Sequence, residues 1–234
     1  MRRLYQYEAT TPTPVSLLLG NKVHSTGWFT EPELLFNPIV AEFYDLFAWP
    51  FVTATTKAIM KELTGVDGEI LEIGCGTGLV TTELAKVGKV TSVEPSSSML
   101  EKARGRIKRY NLEDKVCFIQ DRAESLPLPS TQFDAIVMSY VLRYIKPQAL
   151  ETVASEITRV LKPGGRLLLA DLHLPLTGAF PKGIGRTNPN YMVLGILAIY
   201  DPASLARYIE NFGFKFRSLQ YYPLSFLLIL SYGG

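Results

Sequence analysis

From Glu69 to Asp171 short β-rich runs alternate with segments of helical length, and this alternation constrains the fold more than any other feature of the chain. The runs are Glu69 to Ile73, Val90 to Glu94, Val116 to Gln120, Phe133 to Ser139 and Arg166 to Asp171. Between them the periodicity predicts helices at Leu79 to Val87, closed by Gly88, and at Ser97 to Tyr110, capped by Ser96 or Ser97. A further helix runs from about Gln148 to Leu161 and stops at Pro163-Gly164-Gly165. Strands joined through helices need crossover connections, and these are right-handed, so a parallel sheet covered on both faces is expected.

The two ends depart from this rhythm. A helix is expected at Ala203 to Asn211, capped by Asp201 with Pro202 in its first position, followed by strands Phe214 to Tyr221 and Ser225 to Ser231. Only Tyr222, Pro223 and Leu224 separate those strands, which allows an antiparallel hairpin at the sheet edge and nothing else. Roughly the first 40 residues carry prolines and aromatics without sustained periodicity and read as an irregular arm. Ile39 to Leu63 has helical spacing interrupted by Pro50, which predicts two helical pieces with a bend. The expected organisation is a doubly wound α/β core over residues 65–234 with an arm and helical lid over residues 1–64, one compact domain in all.

Charge narrows the partners. Lys and Arg number 24 against 22 Asp and Glu, a net charge of +2, so a nucleic-acid backbone is not an expected partner. The densest basic run, Lys102 to Arg109, has the spacing of a solvated helix face. Cys75 falls in a glycine turn and Cys117 in what reads as a buried strand, too few for a disulfide framework, so a reducing, cytoplasmic setting is expected. The longest apolar stretches, Tyr191 to Tyr200 and Leu224 to Leu230, fall short of the roughly 20 residues that cross a bilayer, which predicts a soluble protein. His24 and His173 are the only histidines, and two cannot make a metal site by themselves.

The chemistry concentrates where the first strand ends. Gly74-Cys75-Gly76-Thr77-Gly78 lies directly between that strand and its helix, beside the crevice in which ligands of such folds bind. A dinucleotide site wants its third glycine one place later, where this chain has Leu79, so the turn is not arranged for a pyrophosphate. Glu94, 20 residues beyond Gly74 at the end of the second strand, stands where a carboxylate accepts from both hydroxyls of a ribose. Adenosine without a diphosphate is the pattern.

At these positions the chain resembles the class I methyltransferases, and among them the ubiquinone and menaquinone biosynthesis methyltransferases. The resemblance runs from about Ile39 onward through Glu72 to Gly78, Glu94-Pro95-Ser96 with Met99-Leu100, Ala123 to Pro127, Phe133-Asp134-Ala135, Ser139 with Leu142-Arg143, and Arg159 to Gly165. The segment Tyr221-Tyr222-Pro223-Leu224-Ser225 is similar as well. What the resemblance implies is a Rossmann-like fold that takes S-adenosylmethionine and releases S-adenosylhomocysteine. Glu72, Gly74, Cys75, Gly76, Thr77 and Gly78 would form the cofactor turn, Glu94 with Pro95 would hold the ribose, and Met99 with Leu100 would flank the adenine. Ala123 would face the adenine edge, and Ser139 and Tyr140 would line the methionyl pocket. One position departs from the family: Arg122 stands where an Asp or Asn is usual, and arginine cannot accept a hydrogen bond. Asp121, one place earlier, is the candidate to take over.

Three residues are candidates on the acceptor side. His173, just past the fifth strand, is placed for a general base or is an ordinary loop histidine. Arg143 matches the family's Leu-Arg pair or makes a surface ion pair, and Tyr44 closes the pocket or packs in the core. The apolar stretch Asn190 to Tyr200 suggests a small hydrophobic acceptor such as a quinone precursor, an isoprenoid or a polyketide; a buried helix or a homodimer contact would explain it too. Peripheral membrane contact is compatible with such an acceptor. The rival readings are a phospholipid or secondary-metabolite methyltransferase, a non-catalytic cofactor-binding subunit, and a nicotinamide enzyme.

Overall fold

The structure, a computed structural model, describes residues 38–66, 68–172, 202–222 and 225–233. Among the described residues seven strands form one sheet: β1 (Glu69–Ile73), β2 (Lys89–Val93), β3 (Val116–Ile119), β4 (Phe133–Ser139), β5 (Leu161–Leu172), β6 (Phe214–Tyr222) and β7 (Ser225–Tyr232). The helices are α1 (Pro38–Leu63), α2 (Leu79–Leu84), α3 (Ser97–Arg109), α4 (Leu150–Val160) and α5 (Pro202–Glu210). The order across the sheet is β3-β2-β1-β4-β5-β7-β6. β1 to β5 are parallel, and β7 enters antiparallel between β5 and β6, so the expected hairpin is present.

Period-two alternation builds two cores from the same strands. Leu71, Ile73, Ile136, Met138, Leu167, Leu169, Phe226 and Leu228 point to one face, where α4 and α5 add Leu150, Val153, Ile157, Leu205 and Ile209. Ile70, Val90, Ala135, Val137, Leu168, Ala170, Leu227 and Ile229 point to the other, covered by Ile59 and Leu63 of α1 and by Val80 and Leu84 of α2. The helical stripe on α4, Leu150, Val153, Ala154, Ile157 and Val160, has the i, i+3, i+4, i+7 spacing that one apolar face requires. Ser96 is the cap of α3, its hydroxyl accepting from the Met99 N–H at 3.3 Å.

Several expectations are corrected. α1 runs unbroken through Pro50 rather than as two pieces. An interior proline costs about 3 kcal/mol, but Val52, Thr55, Thr56, Ile59 and Leu63 bury a continuous stripe beyond it, and that packing outweighs the local cost. β5 begins at Leu161, not Arg166: Leu161 already pairs with Phe133, and a register shift takes up the residues around Pro163-Gly164-Gly165 before Arg166 pairs with Ala135. Cys117 is exposed rather than buried, because β3 is an edge strand with neighbours on one side only. Pro202 does open the last helix, while its expected cap Asp201 lies outside the described residues.

Candidate functional site

The chain passes from β1 outward to β2 and β3, then returns to place β4 on the other side of β1, so the switch point of the sheet lies between the ends of β1 and β4. The glycine turn forms one wall of that crevice and Ser139 to Val141 the other. Gly74 has a φ of 76°, and a Cβ there would come 2.3 Å from Val141 Cγ2, so only glycine lets the two walls approach this closely. Gly78, at a φ of 81°, begins α2, and its Cβ would come 3.0 Å from the Ala103 backbone. The early third glycine thus serves close packing of the turn on α3.

Glu94 closes the turn from the side of β2. Its Oε2 accepts from the Gly76 N–H at 3.1 Å and its Oε1 from the Ser96 N–H at 3.0 Å. Burial raises the carboxyl above its ordinary range and the two backbone donors oppose the rise. Each oxygen of a carboxylate has a further lone pair, so this side chain can accept from a ligand's hydroxyls without releasing the turn. Across the crevice the Ser139 hydroxyl is buried without a hydrogen-bond partner among the described residues. A buried hydroxyl of that kind has hydrogen-bonding capacity open to a ligand's polar group or a water.

Residues 70–165 match the family model described as a methyltransferase domain. Over that stretch the core is similar to methyltransferase domains. Over 161 residues the chain is 32% identical to the ubiquinone/menaquinone biosynthesis C-methyltransferase of Ectopseudomonas mendocina, a match covering 66% of this chain and 62% of that protein. In fold it is similar to a SAM-dependent methyltransferase from Aquifex aeolicus, with a TM-score of 0.64 and 19% identity over 84% of this chain and 98% of the other. DhpI, solved in complex with SAH, gives a TM-score of 0.67 at 22% identity, covering 90% of this chain and 99% of its own. The chain thus spans less than two thirds of the length of that first relative.

The remaining candidates fall into distinct places. Glu72 is buried beneath the turn, where its Oε2 accepts from the hydroxyls of Ser92 at 2.5 Å and Thr81 at 2.6 Å. Desolvation pushes its carboxyl from 4.5 to about 7; the two hydroxyls act against this and the charge of Glu94 adds to it. Cys75 is buried against Leu100 and Ala103, and burial holds its thiol well above the ordinary range, which makes it a poor nucleophile. Met99 is buried in the stripe of α3, and Pro95 accepts at its carbonyl from Gln120. Asp121 turns back to accept from the Arg122 N–H at 2.7 Å, while the Arg122 guanidinium reaches Glu124 at 3.4 Å. Ala123 packs against the core beside them.

Tyr140 takes a φ of 62°, uncommon for a bulky residue and found where the surroundings impose it. Its N–H bonds to the Ala170 carbonyl at 2.7 Å, and its hydroxyl lies 3.1 Å from Thr55 Oγ1 on α1. Arg143 lies in a short helical turn after β4 and Tyr44 in α1, but their side chains are outside the described residues. His173, His24 and the apolar stretch at 190–200 are outside them entirely.

Two residues carry more than their sequence suggests. Arg106 does not lie on the solvated face with Lys102, Lys108 and Arg109: it turns inward to donate from Nε to the Thr77 carbonyl at 3.0 Å and from Nη2 to Asp45. Asp45 also accepts from the Thr77 hydroxyl. The available signal was helical spacing, since Arg106 follows buried Met99 by seven residues and buried Ala103 by three.

Proposed function

We propose that this chain transfers the sulfonium methyl group of S-adenosylmethionine to a small apolar acceptor, a quinone precursor methylated at carbon being the best-supported class. The observation that carries the cofactor half is the pairing of the close-packed glycine turn with Glu94, whose buried carboxylate already braces that turn. The residues fit the cofactor: Gly74 leaves room where a Cβ would meet Val141, Glu94 offers acceptors to a ribose, and Ser139 offers a buried hydroxyl. Gly74, Gly76, Thr77, Gly78, Glu94, Pro95, Met99, Asp121, Arg122, Ala123, Ser139 and Tyr140 would form its surroundings, with Glu72 and Cys75 supporting the turn. When bound, the cofactor supplies an activated methyl on a cationic sulfur.

The protein's part is then to bind, orient and exclude water, and orientation alone is worth roughly 7 to 11 kcal/mol in well-organised reactions. The likeness to the quinone-biosynthesis C-methyltransferase supports the acceptor class. His173, Arg143 and Tyr44 remain the candidates for contact with the acceptor, His173 as the base where a proton must leave. Among the described residues no helix is long and apolar enough to cross a membrane. The test is a panel of acceptors, quinone precursors beside phospholipid head groups and aromatic metabolites, assayed with methyl-labelled cofactor. Label in a quinone precursor is the expected result. Tight S-adenosylhomocysteine binding with no transfer to any acceptor or cell-extract fraction would favour a non-catalytic, regulatory role instead.

A further inference from the structure

The apex of the cofactor turn is held from outside itself. Thr77 sits between Gly76 at a φ of 53° and Gly78 at 81°, and glycines take either sign of φ with little penalty, so backbone preference alone does not fix the peptides on either side of it. Three contacts do. The Thr77 hydroxyl donates to Asp45 of α1, the Thr77 carbonyl accepts from Arg106 Nε of α3 at 3.0 Å, and Arg106 Nη2 closes the triangle on Asp45. Thr77 is only 3% exposed, and Asp45 and Arg106 are half-buried. In the same turn the Gly78 N–H bonds to the Cys75 carbonyl at 2.9 Å, so the Thr77–Gly78 peptide is fixed at both its oxygen and its hydrogen.

We propose that Asp45, Arg106 and Thr77 form a clamp that makes cofactor affinity depend on the seating of α1, with Asp45 and Arg106 as positioning residues. The inference rests on the cofactor reading above but concerns residues that reading does not use; Asp45 lies outside the matched domain at 70–165. Holding Thr77 limits where the adjoining Gly76 can place its N–H, and that N–H is one of the two donors orienting Glu94. Release of the clamp therefore reaches the ribose-binding carboxylate through a single intervening residue. Arg106 suits the task because one planar guanidinium serves a carbonyl and a carboxylate at once, which a lysine cannot reproduce.

The experiment uses the full chain and S-adenosylhomocysteine as the probe, with calorimetry on the parent, Asp45→Asn, Arg106→Gln, the double variant and Arg106→Lys. Each single change is expected to weaken binding roughly 5- to 30-fold, with the double variant little worse than either single, as groups acting as one unit behave. Arg106→Lys should restore only part of the loss, and in turnover KM for the cofactor should rise while kcat changes little. Unchanged affinity, losses that multiply in the double variant, or full rescue by lysine would each overturn the clamp. Thr77→Val, which keeps shape and removes the hydroxyl, covers the case in which a charge variant does not fold, and should weaken binding in the same direction. Hydrogen exchange of amides 74–78 separates this proposal from the cofactor reading. If the parent fails to bind the probe, the cofactor reading falls, whereas the clamp still requires those amides to exchange faster in Asp45→Asn; equal exchange rates would refute it.

Discussion

Two carboxylates flank the same glycine turn and are held in opposite ways. Glu72, beneath it, takes two side-chain hydroxyls on one oxygen; Glu94, beside it, takes one backbone N–H on each. Hydroxyls can rotate to accept from a protonated carboxyl as well as donate to an ionised one, whereas backbone N–H groups only donate. The region below the turn therefore tolerates a neutral acid, and the region beside it is built for an anion. On the cofactor reading proposed above, this separates a carboxyl that would support the site from one that would meet the ligand, although both are buried.

The contrast can be broken most directly at Glu94. Replacing it with Ala removes two acceptors for a ribose, and hydrogen bonds to a charged group are worth about 1.5 to 3 kcal/mol each, so affinity for S-adenosylhomocysteine should fall on the order of 100-fold or more by calorimetry. Circular dichroism should report an intact fold; unaltered affinity would remove the cofactor assignment. At Glu72 the expected effect is on stability and pH. A carboxyl raised to about 7 in the folded chain from 4.5 binds its proton more tightly when folded. Stability is then highest below the unfolded pKa, declines as pH rises from about 4.5 to 7, and is flat above. Burial of this kind is worth on the order of 3 kcal/mol. Glu72→Gln should flatten that decline in urea titrations at pH 5 and pH 8 and gain stability at the higher pH, while cofactor affinity falls far less than in Glu94→Ala. A parallel pH profile in parent and variant would contradict the difference drawn between the two acids. The smallest effect belongs to Thr81→Val, which removes one of the two hydroxyls opposing the rise. Stability at pH 8 should drop by about 1 kcal/mol, with little change at pH 5.

Much of this was readable from the chain because it is local. β1 and β4 have the bounds their residues predict, Ser96 caps α3, and the shortness of the link dictates the hairpin of β6 and β7. Each follows from alternation, a cap or a turn within a few residues. Pro50 was misread because a stripe from Val52 to Leu63, buried by distant strands and helices, decides whether the helix continues. Cys117 was misread because composition cannot say which strand is outermost. The turn and Glu94 were legible, but the clamp was not: Asp45 stands 32 positions from Thr77 and 61 from Arg106, and no window of sequence joins them. Arg106 was assigned to the solvated face by its charged neighbours, and only its place on the stripe of Met99 and Ala103 argued otherwise.

The hairpin has a bearing on how the molecule is made. β7 comes last of the described strands in chain order, yet it lies in the interior of the sheet, bonded to β5 along Arg166 to Leu172 on one side and to β6 on the other. During synthesis the ribosome delivers the parallel strands well before Ser225 to Tyr232 emerges, and throughout that interval β5 presents an unpaired apolar edge, the kind of surface that recruits other chains. Emergence of this one strand both satisfies that edge and lays Phe226, Leu228 and Leu230 into one core and Leu227 and Ile229 into the other. Slow decoding or truncation within it would leave a nascent protein whose cofactor turn is already encoded but whose sheet cannot close, a natural substrate for chaperones.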